Sequence, residues 1–207
     1  MPRFTIEGVT PAQRQLVAAQ FTKAFSLLPP LMQTRLEQKE KFDHYQIKVM
    51  DLTSHVGAEI NFKGELRISS RYLDKPEMVT RLIIHELSHV YDMLKILPPE
   101  ILESASRCNG LRGHQPEESL PEVCSLYKGT ETTVSTTPEF LDITGWYQTL
   151  NGNGDRLSET TFVYRSPDPY EMRSPREMFA VNMEYFLTDP EYKCRRPSLY
   201  RVLSKHF

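Results

Sequence analysis

The sequence predicts an α+β fold in which a small twisted sheet packs on one long helix. Two observations support this class. Apolar residues alternate on both sides of Lys63-Gly64, which predicts a β-hairpin, and the stretches before and after it carry apolar residues at helical spacing. A chain of 207 residues with 39% hydrophobic content is long enough to bury a core, and we expect a single domain over residues 1–207.

The N-terminal part is predicted to be helical. Residues 11–27 place Phe21, Phe25 and other apolar residues near helical spacing, with Pro11 near the start. The prolines of "LLPPLM" end this helix, because proline lacks the backbone donor that a helix interior needs. A second, short helix is expected in "LMQTRLEQKEKF".

Strand character begins at "YQIKVMDL" and continues in "AEINFKGELRISSRYL". In the second stretch apolar and polar residues alternate before and after the Lys63-Gly64 turn, as in a half-buried hairpin. The apolar positions that carry these patterns are Ile47, Val49, Leu52, Ile60, Phe62, Leu66 and Ile68.

A long helix is predicted directly after the hairpin. Asp74 is a candidate N-cap, Pro76 is suited to the first turn, and Glu77 is placed to complete a capping box. The helix should extend to about Ile96 and end before the two prolines that follow.

Residues 98–168 are less regular and are interpreted as an insertion carried by the core. A helix is expected around "TPEFLDITGWYQTL". The chain has three cysteines, and an odd number argues against a full disulfide framework. Cys108 and Cys124 lie in this region, and spacing alone leaves their pairing open.

A late helix has clear signals at both ends. Ser174 is a candidate N-cap, Pro175 stands at the first position, Glu177 could close a capping box, and Asp189-Pro190 stops the helix. A further short helix is expected in "RPSLYRVLSKHF".

Composition excludes several classes of function. With 25 basic and 27 acidic residues the net charge is -2, so neither nucleic acid nor an anionic membrane is an expected partner. No apolar run approaches the roughly 20 residues of a membrane span. The N-terminal stretch "MPRFTIEGVTPAQRQ" lacks the apolar core of a signal peptide, which predicts a cytoplasmic protein or one exported without a classical leader.

The long helix contains the sequence His85-Glu86-Leu-Ser-His89. Two histidines four residues apart lie on the same face of a helix, so their imidazoles can bind one metal ion. Glu86 is rotated by about 100° from His85, which suits it to reach a water molecule at the metal. Apolar neighbours predict partial burial of both rings, and buried histidines need partners for their polar atoms. The pattern therefore predicts Zn²⁺ in preference to histidines bonded within a core.

Catalytic zinc takes three protein ligands, so a third must come from elsewhere. Lys95 occupies the position six residues after His89, which rules out the metzincin arrangement. Asp92 lies on the same helix face and is predicted to accept the second N–H of a liganding histidine. The candidates for the third ligand are the remaining histidines and the carboxylates of the late helix: His44, His55, His114, His206, Glu177 and Glu184. Glu184 is the runner-up to Glu177, and it is expected to lie behind a ligand or at the surface if it does not bind the metal.

"HELSHVYDML" followed by "PREMFAVNMEYFLTDP" resembles the zinc peptidases of the anthrax lethal factor and MtfA type. Their pattern is H-E-x-x-H-x-x-D and, on a second helix, E-F-F-A, whose first Glu is the third zinc ligand. The resemblance implies that role for Glu177, although Met178 replaces the first Phe. It also implies a catalytic role for Tyr170, seven residues before Glu177, and a gluzincin-like core.

The expected activity is therefore that of a zinc metallopeptidase, more specifically an endopeptidase acting on a protein or peptide substrate. The resemblance is compatible with a bacterial secreted effector or toxin protease. A non-catalytic zinc-binding interaction module, an aminopeptidase and an amidase stay open as alternatives. The strand "ELRISS" before the active helix is either an edge for β-addition of an extended substrate or an ordinary core strand, and the sequence leaves both open.

Overall fold

The structure is a computed structural model that describes residues 2–37, 44–53, 55–61, 64–94, 134–144, 146–148, 154–156 and 168–207. The strands are β1 (Arg3–Glu7), β2 (His44–Met50), β3 (Ala58–Ile60), β4 (Glu65–Ser69), β5 (Trp146–Gln148) and β6 (Gly154–Arg156). The helices are α1 (Pro11–Leu27), α2 (Pro30–Glu37), α3 (Pro76–Leu94), α4 (Pro138–Thr144), α5 (Pro175–Thr188), α6 (Tyr192–Arg195) and α7 (Pro197–His206). Single 3₁₀ turns cover Ser70–Tyr72, Val134–Thr136 and Pro169–Met172. The predicted α+β class is confirmed.

The main sheet has four strands in the order β1-β2-β4-β3. β2 is parallel to both β1 and β4, whereas β3 and β4 form the predicted antiparallel hairpin. β1 was not predicted from the sequence. The expectation that "ELRISS" offers an edge to a substrate is wrong, because β4 is hydrogen-bonded on both sides. Among the described strands, β3 lies at this edge of the sheet.

Burial alternates along the interior strands as the sequence pattern predicts. Ile47 and Val49 of β2 and Leu66 and Ile68 of β4 point into the core. On the other face, charged side chains form ion pairs between neighbouring strands, such as Lys48 with Glu65 at 2.8 Å. Within the described residues, the core therefore covers the face that carries Ile47, Val49, Leu66 and Ile68.

The turn of the hairpin and the start of the helix that follows it both suit the residues found there. Gly64 has a φ of +78°, a conformation that glycine adopts without steric cost, and its N–H donates to the Asn61 carbonyl over 3.1 Å. The helix after the hairpin begins at Pro76, as expected for a proline in a first turn. The Lys75 carbonyl accepts the hydrogen bond of Val79, so Asp74 precedes the N-cap and does not occupy it. The predicted end near Ile96 lies outside the described residues.

α3 is the central helix of the fold. It contacts strands β3 and β4 of the sheet, the two N-terminal helices α1 and α2, and the late helix α5. Its apolar residues Ile83, Ile84 and Leu87 are fully buried. Burying side chains of this size on several sides stabilises the helix by roughly 1.5–3 kcal/mol each, so α3 is a firm support for the residues that it carries.

The described part of the predicted insertion joins the core. Val134, Ser135 and Phe140 are buried, and the Phe140 ring lies edge-on to Phe179 of α5 with centroids 6.0 Å apart. α4 accounts for part of the helix expected around "TPEFLDITGWYQTL", and the strand β5 follows it. Cys108 and Cys124 lie outside the described residues. Among the residues described, no helix is both long and apolar enough to cross a bilayer.

Candidate metal centre

Two imidazoles project from the same face of α3. His85 and His89 are one helical turn apart, and their rings meet nearly at right angles with centroids 4.7 Å apart. Their Nε2 atoms are 3.0 Å from each other. His85 is 7% exposed, so α3 holds at least this ring inside the protein.

α5 delivers a carboxylate to the same point. Ser174 caps this helix, and its Oγ accepts from the Glu177 N–H over 3.1 Å. The Glu177 side chain turns toward the histidines: its Oε2 lies 3.0 Å from Nε2 of His85 and 3.2 Å from Nε2 of His89. Glu177 therefore takes part in the cap through its backbone N–H and approaches the histidines through its side chain.

The spacing of the three donor atoms fits a bound metal ion. Metal–ligand bonds of about 2.0–2.1 Å in a tetrahedral arrangement place ligand atoms about 3.3 Å from one another. The three separations here are 3.0, 3.0 and 3.2 Å. In the described part of the chain, His85, His89 and Glu177 are the group of three that could hold a metal ion. The fourth tetrahedral position would remain for water or substrate.

The chemistry of the donor set also requires a cation. Nδ1 of His85 lies 2.8 Å from Oε1 of Glu184, and a carboxylate can only accept, so Nδ1 carries the proton. In a neutral imidazole Nε2 then presents a lone pair to the Glu177 carboxylate at 3.0 Å. Burial opposes a charge on His85, but hydrogen bonds to Glu177 and Glu184 outweigh it and raise the pKa of this ring to about 10. Either a proton or a metal ion must separate the two groups.

Glu184 is itself held in place. Its second oxygen, Oε2, accepts from Nε of Arg81 over 3.2 Å, and the guanidinium of Arg81 stacks over the Tyr185 ring at 4.3 Å. The sequence left Glu184 open as the runner-up third ligand, as a group behind a ligand, or as a surface residue. The structure places it behind His85, where a carboxylate fixes the tautomer and the orientation of the ring.

Glu86 lies next to the donor atoms in an apolar setting and is 6% exposed. Burial raises the pKa of its carboxyl group, and the nearby His85 and His89 lower it less. The backbone of Ile60 lies close to this carboxylate and lowers its pKa to a smaller extent. A carboxyl group with a raised pKa accepts a proton more readily than an exposed carboxylate does, which suits Glu86 to acid–base chemistry.

The 3₁₀ turn Pro169–Met172 brings Tyr170 to the site. Its ring lies edge-on to His85 with centroids 5.9 Å apart, and Arg173 stacks over it at 4.3 Å. The Asp168 side chain caps this turn by accepting from the Tyr170 N–H over 2.9 Å. Burial, followed by the negative charge of Glu177, raises the pKa of Tyr170, so its hydroxyl stays protonated and able to donate.

Asp92 has a different partner from the one predicted. Its two oxygens accept from the backbone N–H of Ser135 at 3.1 Å and from the Ser135 hydroxyl at 2.6 Å. These two hydrogen bonds replace the predicted one, in which Asp92 accepts an N–H from a liganding histidine. Asp92 ties the segment before α4 to α3, and Glu184 makes the histidine contact.

The other candidate ligands lie elsewhere. His44 contacts Thr5 in the sheet at 3.1 Å, and His206 lies 3.3 Å from the Tyr91 hydroxyl. His55 lines a cavity of about 200 Å³ that opens beside the metal centre. His114 lies outside the described residues. The cavity is bounded by the edge strand β3, the first turns of α3 and the turn that carries Tyr170.

Comparison with known sequences places the chain in a family. Residues 75–207, more than half of the chain and including both site helices, match the family described as domain of unknown function DUF7844. The chain belongs to this family. It is also 39% identical over 71 residues to Mlc titration factor A from Pectobacterium atrosepticum, which amounts to 32% of this chain and 27% of that protein. The match thus spans little more than a quarter of the relative's length. Among solved structures none matches.

Three contacts of the site were not predicted from the sequence: Arg81 with Glu184, the Ile60 backbone with Glu86, and Ser135 with Asp92. Arg81 stands four residues before His85, a spacing that puts it on the same helix face and was available as a signal. The other two contacts join segments that the sequence pattern cannot bring together.

Proposed function

We propose that this protein is a zinc-dependent metallopeptidase that acts as an endopeptidase. The observation that carries the proposal is the convergence of two imidazole nitrogens and one carboxylate oxygen within 3.2 Å of one another, with the buried carboxyl group of Glu86 beside them. A zinc site built only for structure is usually closed by four protein ligands. Three ligands with an acid–base group at the open side are the pattern of a catalytic site.

The roles of the residues follow from their positions. Zinc in such a site supplies a Lewis acid, which lowers the pKa of a water molecule and polarises a carbonyl group. Glu86 accepts a proton from the water that attacks the peptide carbonyl, and it returns this proton to the leaving amine. Tyr170 donates a hydrogen bond to the oxyanion that develops on the carbonyl.

The edge strand β3 is the proposed platform for the substrate. The hydrogen bond from the Asn61 N–H to the Glu65 carbonyl shows which backbone groups of this hairpin face β4. The pattern alternates in an antiparallel pair, so the groups of Ala58 and Ile60 face away from β4. Ala58 lines the cavity beside the metal centre. An extended peptide paired with this edge would continue past the cavity on both sides. Such a substrate would be cleaved within its chain.

The experiment compares the wild-type protein with Glu86→Gln and Glu177→Ala. The wild type should hold one zinc per chain and hydrolyse members of a peptide library with blocked ends, which is screened beside the same peptides with free N-termini. Glu86→Gln should keep the metal, because Glu86 is not a ligand, and lose activity by at least about 10²-fold. Glu177→Ala should lose both. Glu191→Gln is the control, since this carboxylate is 70% exposed and pairs with Arg195 away from the site.

Each alternative gives a different result. A zinc-binding interaction module would hold the metal and cleave no library member, with or without Glu86. An aminopeptidase would cleave only peptides with a free N-terminus. A Glu86→Gln protein as active as the wild type would refute the proposed mechanism.

A further inference from the structure

A buried polar network lies behind the metal centre. The carboxylate of Glu171 accepts from Arg196 Nη2 at 2.9 Å and from Asn182 Nδ2 at 3.1 Å. Asn182 Oδ1 in turn accepts from Arg196 Nη1 at 2.5 Å and from the Tyr192 hydroxyl at 2.8 Å. Glu171 and Asn182 are 1% and 0% exposed. None of these side chains is among the metal-donor group.

Burial of the Glu171–Arg196 ion pair carries a free-energy cost. Removing an arginine and a glutamate from water costs several kcal/mol for each ion, and their attraction often only offsets that loss. A well-packed apolar pair would stabilise the fold equally well in many proteins. What the network adds is a fixed geometry, since it ties the turn Pro169–Met172, α5 and the start of α7 to one another.

We infer that Glu171 and Arg196 are positioning residues that hold Tyr170 against the metal centre; this inference rests on the proposed function. In a 3₁₀ turn successive side chains point about 120° apart. Glu171 directs its side chain into the core, and Tyr170, the residue before it, is thereby turned toward His85, with ring centroids 5.9 Å apart. Asn182 lies on α5 between Glu177 and Glu184. The network therefore fixes the position of the turn relative to the helix that carries both site carboxylates.

The network acts on the tyrosine and leaves the metal donors in place. Glu177 is fixed by the Ser174 cap, and His85 by Glu184, through hydrogen bonds that do not include Glu171 or Arg196. Loss of the network should therefore loosen residues 168–173 and lower turnover without weakening zinc binding. This separates a positioning role from a general contribution to stability.

The test uses the double variant Glu171→Leu/Arg196→Met. Replacing both partners avoids an unpaired buried charge, which would unfold many proteins. Hydrogen exchange of residues 168–173 should become faster, while α3 and α5 stay as protected as in the wild type, and zinc affinity should not change. Leu203→Ala, which removes a fully buried side chain from α7 away from the network, is the matched control and should leave residues 168–173 protected.

Activity gives the second readout. The kcat of the double variant should fall by the same factor as that of Tyr170→Phe, about 10²-fold, and Tyr170→Phe should cause no further loss in the double variant. Unchanged exchange together with unchanged kcat would overturn the inference, and so would exchange that rises equally in α3 and α5. If the wild type cleaves nothing, the proposed function fails, and the exchange and zinc measurements still decide whether the network holds this turn.

Discussion

Replacing Glu184 with glutamine should weaken zinc binding while the fold is retained. The carboxylate is 5% exposed, and it joins His85 Nδ1 at 2.8 Å to Arg81 Nε at 3.2 Å. Glutamine keeps the shape but loses the charge, and its NH₂ group must face either the ring N–H or the guanidinium, both of which are donors. Loss of such a partner of a liganding histidine typically lowers metal affinity 10- to 100-fold, which corresponds to about 1.4–2.7 kcal/mol.

Competition with a chromogenic chelator at fixed pH measures this change. Circular dichroism of both proteins shows whether the fold is intact. Glu191→Gln is the control, because it removes a carboxylate from an exposed ion pair outside the metal centre. If Glu184→Gln binds zinc as tightly as Glu191→Gln, then Glu184 does not orient His85 and the interpretation of this contact is refuted.

Three further predictions follow. Asp92→Ala leaves the buried N–H and hydroxyl of Ser135 without their acceptor, so urea denaturation should show a loss of about 3 kcal/mol, whereas zinc affinity of the folded protein should stay close to wild type. The carboxylate partners of His85 raise its pKa to about 10 in the metal-free protein. Zinc must displace that proton, so zinc affinity should rise with pH at every pH below about 10, including the whole range from about 6.5 to 8.5. Calorimetry in two buffers should detect the released proton, and a pH-independent affinity would contradict this. Gly8→Ala should destabilise the fold by about 2 kcal/mol or more. The φ of Gly8 is +75°, and a Cβ at this position would lie 2.5 Å from the Val49 carbonyl oxygen. An unchanged urea midpoint would contradict this close contact between residue 8 and Val49.

Local signals predicted the elements that carry the site. The bounds of α1 and the start of α5 agree with the prediction, because proline and capping residues act within a few positions of the chain. The hairpin followed from alternation and the Lys63-Gly64 turn. The spacing of His85 and His89 places their rings together wherever a helix forms, so this half of the site depends on local geometry alone.

The remaining features depend on tertiary packing. β1 is short and lies at the far edge of the sheet, where few buried side chains mark a strand; of its residues only Ile6 is buried. The parallel pairing of β2 with two strands is a property of the sheet order, which alternation does not encode. Asp92 and Glu184 were both plausible partners for a histidine, and only the approach of α5 and of Ser135 decides between them.

Anomalous diffraction at the zinc edge, from crystals of the zinc-loaded wild type, tests the central claim most directly. We predict one strong peak about 2.0–2.2 Å from Nε2 of His85, Nε2 of His89 and a carboxylate oxygen of Glu177. Glu177→Ala crystals treated in the same way should lack the peak. Zinc bound at other residues, or no peak in the wild type, would contradict the account.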